Sequence, residues 1–187
     1  FLNLANIVKP GITFEGTDFT ALFAEPEKPI RDYVFAEKNW HDYEDHARAV
    51  RNERYKYIRN YLEDLPLTPP ADVVRSATHL ELVRLHEKGE LTPNQAICFA
   101  APRPAEELYD LKLDPHELKN LADDDRYFPV LRAMRAALAD WENKTNDAVP
   151  ALRTADEFDR LTGLPTSARV RPRPGKKEMI EQGLAAP

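Results

Sequence analysis

Cysteine is almost absent from this chain, and its scarcity limits the chemistry that the chain can carry. Cys98 is the only cysteine among 187 residues, so neither an intrachain disulfide nor a cysteine-based metal site can form. No stretch approaches about 18 consecutive apolar residues, which argues against a membrane-spanning segment. The formal net charge is −6, with 26 Lys and Arg against 32 Asp and Glu, which argues against a dedicated nucleic-acid binder.

The amino terminus lacks both a methionine and a basic-then-apolar leader, so no signal peptide is expected. Residues 1–8 have the character of a helix interior, and the chain is therefore interpreted as a fragment of a longer protein. Its length of 187 residues suits one domain, or a domain with appendages. A content of 31% charged and 42% hydrophobic residues is typical of globular proteins.

The pattern of apolar and turn-forming residues predicts four strands. β-Branched and aromatic residues dominate the stretch Tyr33, Val34 and Phe35, which favours a strand. The polar residues Asn52 and Glu53 separate two further strand-like stretches, so a tight turn and a hairpin are expected there. The predicted strands cover residues 32–38, 47–51, 55–60 and 107–111.

Helices are predicted between the third and fourth strands and again after the fourth. Proline, threonine and glycine at the expected termini favour two helices in the insertion, over residues 71–88 and 93–99. The clearest helix covers residues 125–144, where apolar residues recur on one stripe: Tyr127, Leu131, Met134, Leu138 and Trp141. The fold class predicted is α+β, a four-stranded antiparallel sheet packed on a long C-terminal helix, with a helical insertion.

Titratable residues concentrate just before the second strand. His41 and His46 flank three carboxylates, and Arg48 follows in the strand. Loops held by a rigid sheet often carry functional groups, so His41, His46 and Arg48 are predicted to bind substrate, with the imidazoles donating hydrogen bonds to an anionic group. Two other interpretations stay open: a solvated acidic loop, and a metal site for which the sequence marks no third or fourth ligand.

Two segments resemble the C-terminal subdomain of the type I sulfatases. Residues 49–60 follow the family pattern aVRxxxyKYIxN, and residues 107–122 follow ELYDLxxDPxExxNLA. A looser likeness extends over residues 1–149. Trp40, His41, His46 and the long insertion between the third and fourth strands are similar to the heparan N-sulfatase (sulfamidase) branch.

The resemblance implies the C-terminal part of an enzyme that hydrolyses sulfate esters or sulfamates, of a sulfated sugar. It implies three parts: residues 1–30 as the end of the preceding catalytic domain and linker, 31–150 as the C-terminal subdomain, and 151–187 as a basic, proline-rich tail. The expected partners are the rest of the catalytic domain and a sulfated carbohydrate, with neither nucleic acid nor membrane. The family suggests a periplasmic, secreted or lysosomal location, and the sequence leaves the location unknown.

The family's catalytic groups are not expected in this chain. Family members use calcium and a formylglycine made from the first residue of a Cys-x-Pro-x-Arg or Ser-x-Pro-x-Arg motif. Cys98 has two residues too many before Pro102, and Arg103 follows that proline directly, so the likeness is interpreted as coincidence and Cys98 as a small buried residue. No catalytic or metal residue is therefore assigned, and the fragment alone is predicted to be inactive. The alternative function is a non-catalytic module that binds an anionic glycan through the basic tail.

Overall fold

The computed structural model describes residues 2, 4–7, 11, 14 and 16–169. Residues 170–187 of the predicted basic tail lie outside the described residues. Within the described part, no helix is both long enough and apolar enough to cross a membrane.

Four strands form one antiparallel sheet in the order β1-β2-β3-β4, which confirms the predicted fold class. Asn52 shapes the turn of the β2-β3 hairpin. Its side-chain Oδ1 accepts hydrogen bonds from the backbone N–H groups of Arg54 (2.9 Å) and Tyr55 (2.7 Å), as asparagine does in turns. The strands are β1 Val34–Trp40, β2 Glu44–Arg51, β3 Tyr55–Asn60 and β4 Glu106–Asp110.

The insertion between β3 and β4 is helical, but its first predicted helix is broken in two, so the prediction of one helix over 71–88 is wrong. The break falls at Ser76, whose backbone is extended and whose Oγ accepts a hydrogen bond from His79 N at 3.2 Å. A serine in that conformation caps a new helix and does not continue the previous one. The α-helices are α1 Ala71–Val74, α2 Ala77–Glu87, α3 Pro93–Ala96 and α4 Phe128–Thr145. Short 3-10 turns cover Thr20–Phe23, Ile97–Phe99 and Asp125–Tyr127.

The chain divides into two compact units, each built from three separate stretches. Unit 1 comprises residues 1–36, 48–58 and 106–146. Its core confirms the stripe predicted for α4, because Leu131, Met134 and Leu138 are buried against residues of the sheet. Trp141 is partly buried and stacks on Phe35 with ring centroids 5.3 Å apart.

Unit 2 comprises residues 37–47, 59–105 and 147–187. It has a smaller buried cluster of Tyr43, Ala71 and Val74, against which Phe158 packs. Phe158 belongs to a turn closed by a bridge to Pro165. The residues from 153 to 169 are called the C-terminal segment below. The three-part division expected from the sequence stays a prediction.

Candidate functional site

A cavity of about 480 Å³ lined mainly by charged and polar residues lies in unit 2 and is called the polar cavity below. Its wall is formed by the last four residues of β1, by His41 and Tyr43 of the connection, and by the first two residues of β2. Thr68, Pro70 and Arg160 complete it. The volume falls within the roughly 300–1,000 Å³ of small-molecule sites.

The structure separates the three residues that the sequence predicted to bind substrate. The loop expected over residues 41–46 is shorter, because β2 already begins at Glu44. His41 lies in the remaining connection and lines the polar cavity, with 69% of its side chain exposed. His46 and Arg48 instead lie within β2 and are buried, with 3% and 2% exposed. His46 packs edge-on against Tyr61 at 5.2 Å between ring centroids.

Asp42 fixes the connection that carries His41. Its Oδ2 accepts a hydrogen bond from the backbone N–H of Ala71, at 2.7 Å, where α1 begins. The same oxygen lies 3.2 Å from His41 Nδ1. One carboxylate therefore ties the β1-β2 connection to a helix terminus and also restrains the exposed imidazole.

Asp45 forms the most buried charged contact of the site. It accepts from Arg103 through both guanidinium Nη atoms, at 2.7 and 3.2 Å, and its Oδ2 lies 2.8 Å from Lys38 Nζ. Burial acts to raise the pKa of Asp45, but the hydrogen bonds from Arg103 and Lys38 outweigh it and hold that pKa below its usual value. Arg103 also donates to the carbonyl of Leu62 at 3.1 Å, so the pair anchors the chain leaving β3.

Glu44 connects the cavity wall to the C-terminal segment. Its Oε1 accepts from Thr154 N at 2.9 Å, and its own backbone N–H donates to Asp156 Oδ1 at 2.8 Å. Arg160 donates to Asp156 Oδ2 at 2.6 Å and to the carbonyl of Glu44 at 2.7 Å. Because the partners of Glu44 lie 110 or more residues away in sequence, no local pattern could have predicted them.

Arg160 also lies over the ring of Tyr43, with 5.2 Å from its Cζ to the ring centroid, a cation–π arrangement. Burial and the charge of Asp42 raise the pKa of the Tyr43 hydroxyl above its usual value. That hydroxyl lies 3.4 Å from the carbonyl oxygen of Asp159. The described part of the predicted tail is thus folded and contributes to the site.

Cys98 is exposed, so the prediction that it is buried is wrong. The 3-10 turn Ile97–Phe99 directs Phe99 onto the ring of His86, with 4.4 Å between the ring centroids. The neighbouring thiol of Cys98 stays exposed. Among the described residues, no group of three or more His, Cys, Asp or Glu side chains could hold a metal ion.

Comparison with known proteins shows which enzymes this region is similar to. No family model matches the chain. The chain is 38% identical over 141 residues to an ulvan-active sulfatase of Formosa agariphila, covering 74% of this chain and 23% of that protein. It is 28% identical over 138 residues to the human N-sulphoglucosamine sulphohydrolase, covering 72% of this chain and 28% of that protein.

A solved structure in complex with its substrate, D-glucosamine-2-N,6-O-disulfate, superposes with a TM-score of 0.50 at 15% identity. The superposition covers 80% of this chain and 23% of that one, and it supports the fold alone. The sulfatase relatives support the identification of this chain as a C-terminal region of the sulfatase family. The human relative agrees with the predicted likeness to the sulfamidase branch. The chain spans about a quarter of the length of these curated relatives.

Proposed function

We propose that the full-length protein is a sulfatase that hydrolyses the sulfate ester or sulfamate of a sulfated sugar. The observation that carries this proposal is the 38% identity to an ulvan-active sulfatase across 74% of the chain. The likeness to a protein named for N-sulphoglucosamine supports a sugar as the substrate. In this proposal the present chain supplies contacts at the rim of the substrate cleft together with stability.

The chemistry at sulfur is assigned to residues outside this chain. Formylglycine and calcium, which the family resemblance implies, would supply the nucleophile and a Lewis acid. Cys98 does not have the spacing of the family's modified residue, and no carboxylate cluster in the described part of the chain could hold a cation. The residues described here therefore have binding and positioning roles in the proposal.

His41 is the residue of this chain for which a substrate contact is best supported. It is exposed, it lines the polar cavity, and Asp42 restrains its ring. The substrate-binding role predicted for His46 and Arg48 stays a prediction. The burial of both side chains on β2 favours a supporting role over direct contact.

The test is the His41→Ala variant of the full-length enzyme, assayed on a sulfated sugar substrate and on a small aryl sulfate. Loss of a rim contact should lower kcat/KM for the sugar about 10-fold, or about 1.4 kcal/mol, and leave the aryl sulfate nearly unchanged. The matched control is His116→Ala, because His116 is also exposed but belongs to unit 1 and does not line the cavity.

The two substrates separate the possible outcomes. An equal loss of kcat/KM on both substrates would mean that His41 takes part in the reaction itself. An unchanged kcat/KM on both substrates would mean that His41 is a solvated surface residue. Absence of turnover of every sulfated substrate by the full-length protein would contradict the proposed activity itself. The alternative, an anionic-glycan module acting through the basic tail, depends on residues outside the described part and gains no support from the site.

A further inference from the structure

A second cavity of unit 2, called the apolar pocket below, has a volume of about 440 Å³. Its wall is formed by the chain that leads into α1, by α2, and by the 3-10 turn Ile97–Phe99. Small-molecule sites have a volume of this order and a mainly apolar lining with a few polar groups. The apolar side chains of the wall include Leu67, Pro69, Val73, Leu82 and Phe99.

The apolar wall is already formed without a ligand. The ring of Phe99 stacks on His86, with 4.4 Å between the ring centroids, and lies 6.2 Å from the ring of His79, so two residues of α2 hold it in place. Leu67 and Val73 are 47% and 43% exposed, which leaves apolar surface in contact with water. A ligand that covers this surface gains the free energy of its removal from water and does not have to order the wall.

The charged lining of the apolar pocket is of one sign. Lys38 is the only Lys, Arg, Asp or Glu side chain among the described residues that line it, and His79 can add only positive charge. The carboxylates near Lys38 line the polar cavity instead; they are Glu37, Glu44 and Asp45. An anionic group in the apolar pocket therefore meets no carboxylate among the described lining residues.

Asp45 compensates the charge of Lys38 only in part. Its Oδ2 lies 2.8 Å from Lys38 Nζ, but the same carboxylate accepts hydrogen bonds from both Nη atoms of Arg103, at 2.7 and 3.2 Å. One negative charge thus faces two positive charges. Arg103 is buried, whereas 46% of the Lys38 side chain is exposed, so the surplus positive charge is accessible at Lys38. A ligand anion there can accept a charge-assisted hydrogen bond from the ammonium group.

We propose that the apolar pocket binds a small amphiphilic anion, with its apolar part against Leu67, Val73 and Phe99 and its anionic group at Lys38 Nζ. Lys38 also lines the polar cavity, so the anionic end of the ligand lies where the two cavities adjoin. This binding site does not include His41, and the inference does not depend on the proposed sulfatase activity.

The experiment uses the full-length protein and three probes with the same ring system: naphthoate, naphthalenesulfonate and the uncharged naphthamide. Cys98 reports on the site, because it is exposed and lines the apolar pocket. N-Ethylmaleimide modifies exposed thiols, and peptide mass spectrometry reads the modification of Cys98 separately from any other cysteine. The probe concentration that halves the rate of modification of Cys98 gives the Kd at this site. Both anions should bind at least about 10-fold more tightly than the amide.

Two variants and one control test the two parts of the proposed contact. Lys38→Met should abolish the preference for the anions over the amide. Lys28→Met should retain it, because Lys28 is similarly exposed and also pairs with a carboxylate, but belongs to unit 1. Val73→Ser should weaken all three probes by a similar factor, and it tests the apolar contact independently of Lys38.

Each remaining outcome would overturn the proposal. Equal affinities of the three probes in the wild-type protein would show that the site does not select an anion. A preference that Lys38→Met leaves unchanged, in a variant that a urea melt shows to be folded, would place the selection outside this pocket. Unchanged affinities in Val73→Ser would refute the apolar contact. A Cys98 that resists modification in the full-length protein without any probe would show that another part of the protein covers the pocket.

Discussion

Replacing Gly163 with alanine should detach the C-terminal segment from α1 of unit 2. Gly163 has a φ of +64°, in the left-handed region that side chains with a Cβ rarely adopt. A Cβ at this position would lie 2.5 Å from the backbone oxygen of Ala71 and 3.3 Å from Val74 Cβ. The backbone oxygen cannot move without disturbing α1, and the carbonyl of Gly163 itself accepts a hydrogen bond from Arg75.

Two energetic costs add in Gly163→Ala, a conformational one and a steric one, and a substitution at a second glycine separates them. The left-handed conformation costs an alanine about 1–2 kcal/mol, and forcing a methyl group into a packed site costs about 1–3 kcal/mol more. Gly89 has a nearly equal φ of +67°, but a Cβ added there would meet nothing within 4 Å, so Gly89→Ala should show the conformational cost alone. Gly163→Ala should therefore destabilise unit 2 by about 2–5 kcal/mol and Gly89→Ala by about 1–2 kcal/mol.

Urea unfolding measures the free energy of unfolding of each variant, and hydrogen exchange shows which residues lose protection. The amides of Gly163 and Thr166, which donate to Asp159 and Glu157 within the C-terminal segment, should lose protection in Gly163→Ala but keep it in Gly89→Ala. A difference between the variants of less than about 0.5 kcal/mol would refute the packing of this segment on α1.

Four further outcomes are expected. Asp45→Asn should cost about 3–5 kcal/mol in a urea melt, because Arg103 would stay buried without its carboxylate partner. In the wild-type chain, the contribution of Asp45 to the free energy of unfolding should be fully present above its unfolded-state pKa of about 3.9. It should be lost as the pH falls through the lower pKa that Asp45 has in the folded state, and urea melts over a series of pH values measure this loss. Trp141→Ala should cost about 3 kcal/mol, the low end for a core tryptophan because Trp141 is only partly buried, whereas Trp141→Phe should retain most of the stack on Phe35. The 187-residue chain alone should hydrolyse no aryl sulfate with or without calcium, and turnover by the pure chain would contradict the assignment of the chemistry to residues elsewhere.

Local sequence rules predicted much of the fold because the relevant forces act over a few residues. The strand over 55–60 was predicted at its observed bounds, since alternating residues and the Asn52 turn define it locally. The prediction of an apolar stripe on α4 was confirmed, because the side chains that a helix buries recur with the period of the helix. The helix over 71–88 was wrong because it was inferred from the residues at its two ends, Pro70 and Gly89. Between them a single capping residue, Ser76, ends the first helix and begins the second.

The candidate site was harder to predict, because its contacts join residues distant in sequence. His41 was identified from its position before a strand. Nothing near Asp45 indicated Arg103, which lies 58 residues away, and nothing near Glu44 indicated Asp156, 112 residues away. These partners decide whether a carboxylate in the cavity is neutralised, and they are specified only by the fold.

This long-range pairing also changes how the charged stretch before β2 is interpreted. From the sequence, the imidazoles and Arg48 suggested an anion site, with the intervening carboxylates as an objection. In the structure Arg48 and His46 are buried on β2, while Asp42 and Asp45 engage a helix terminus and a buried guanidinium. The carboxylates are therefore components that hold the β1-β2 connection in place.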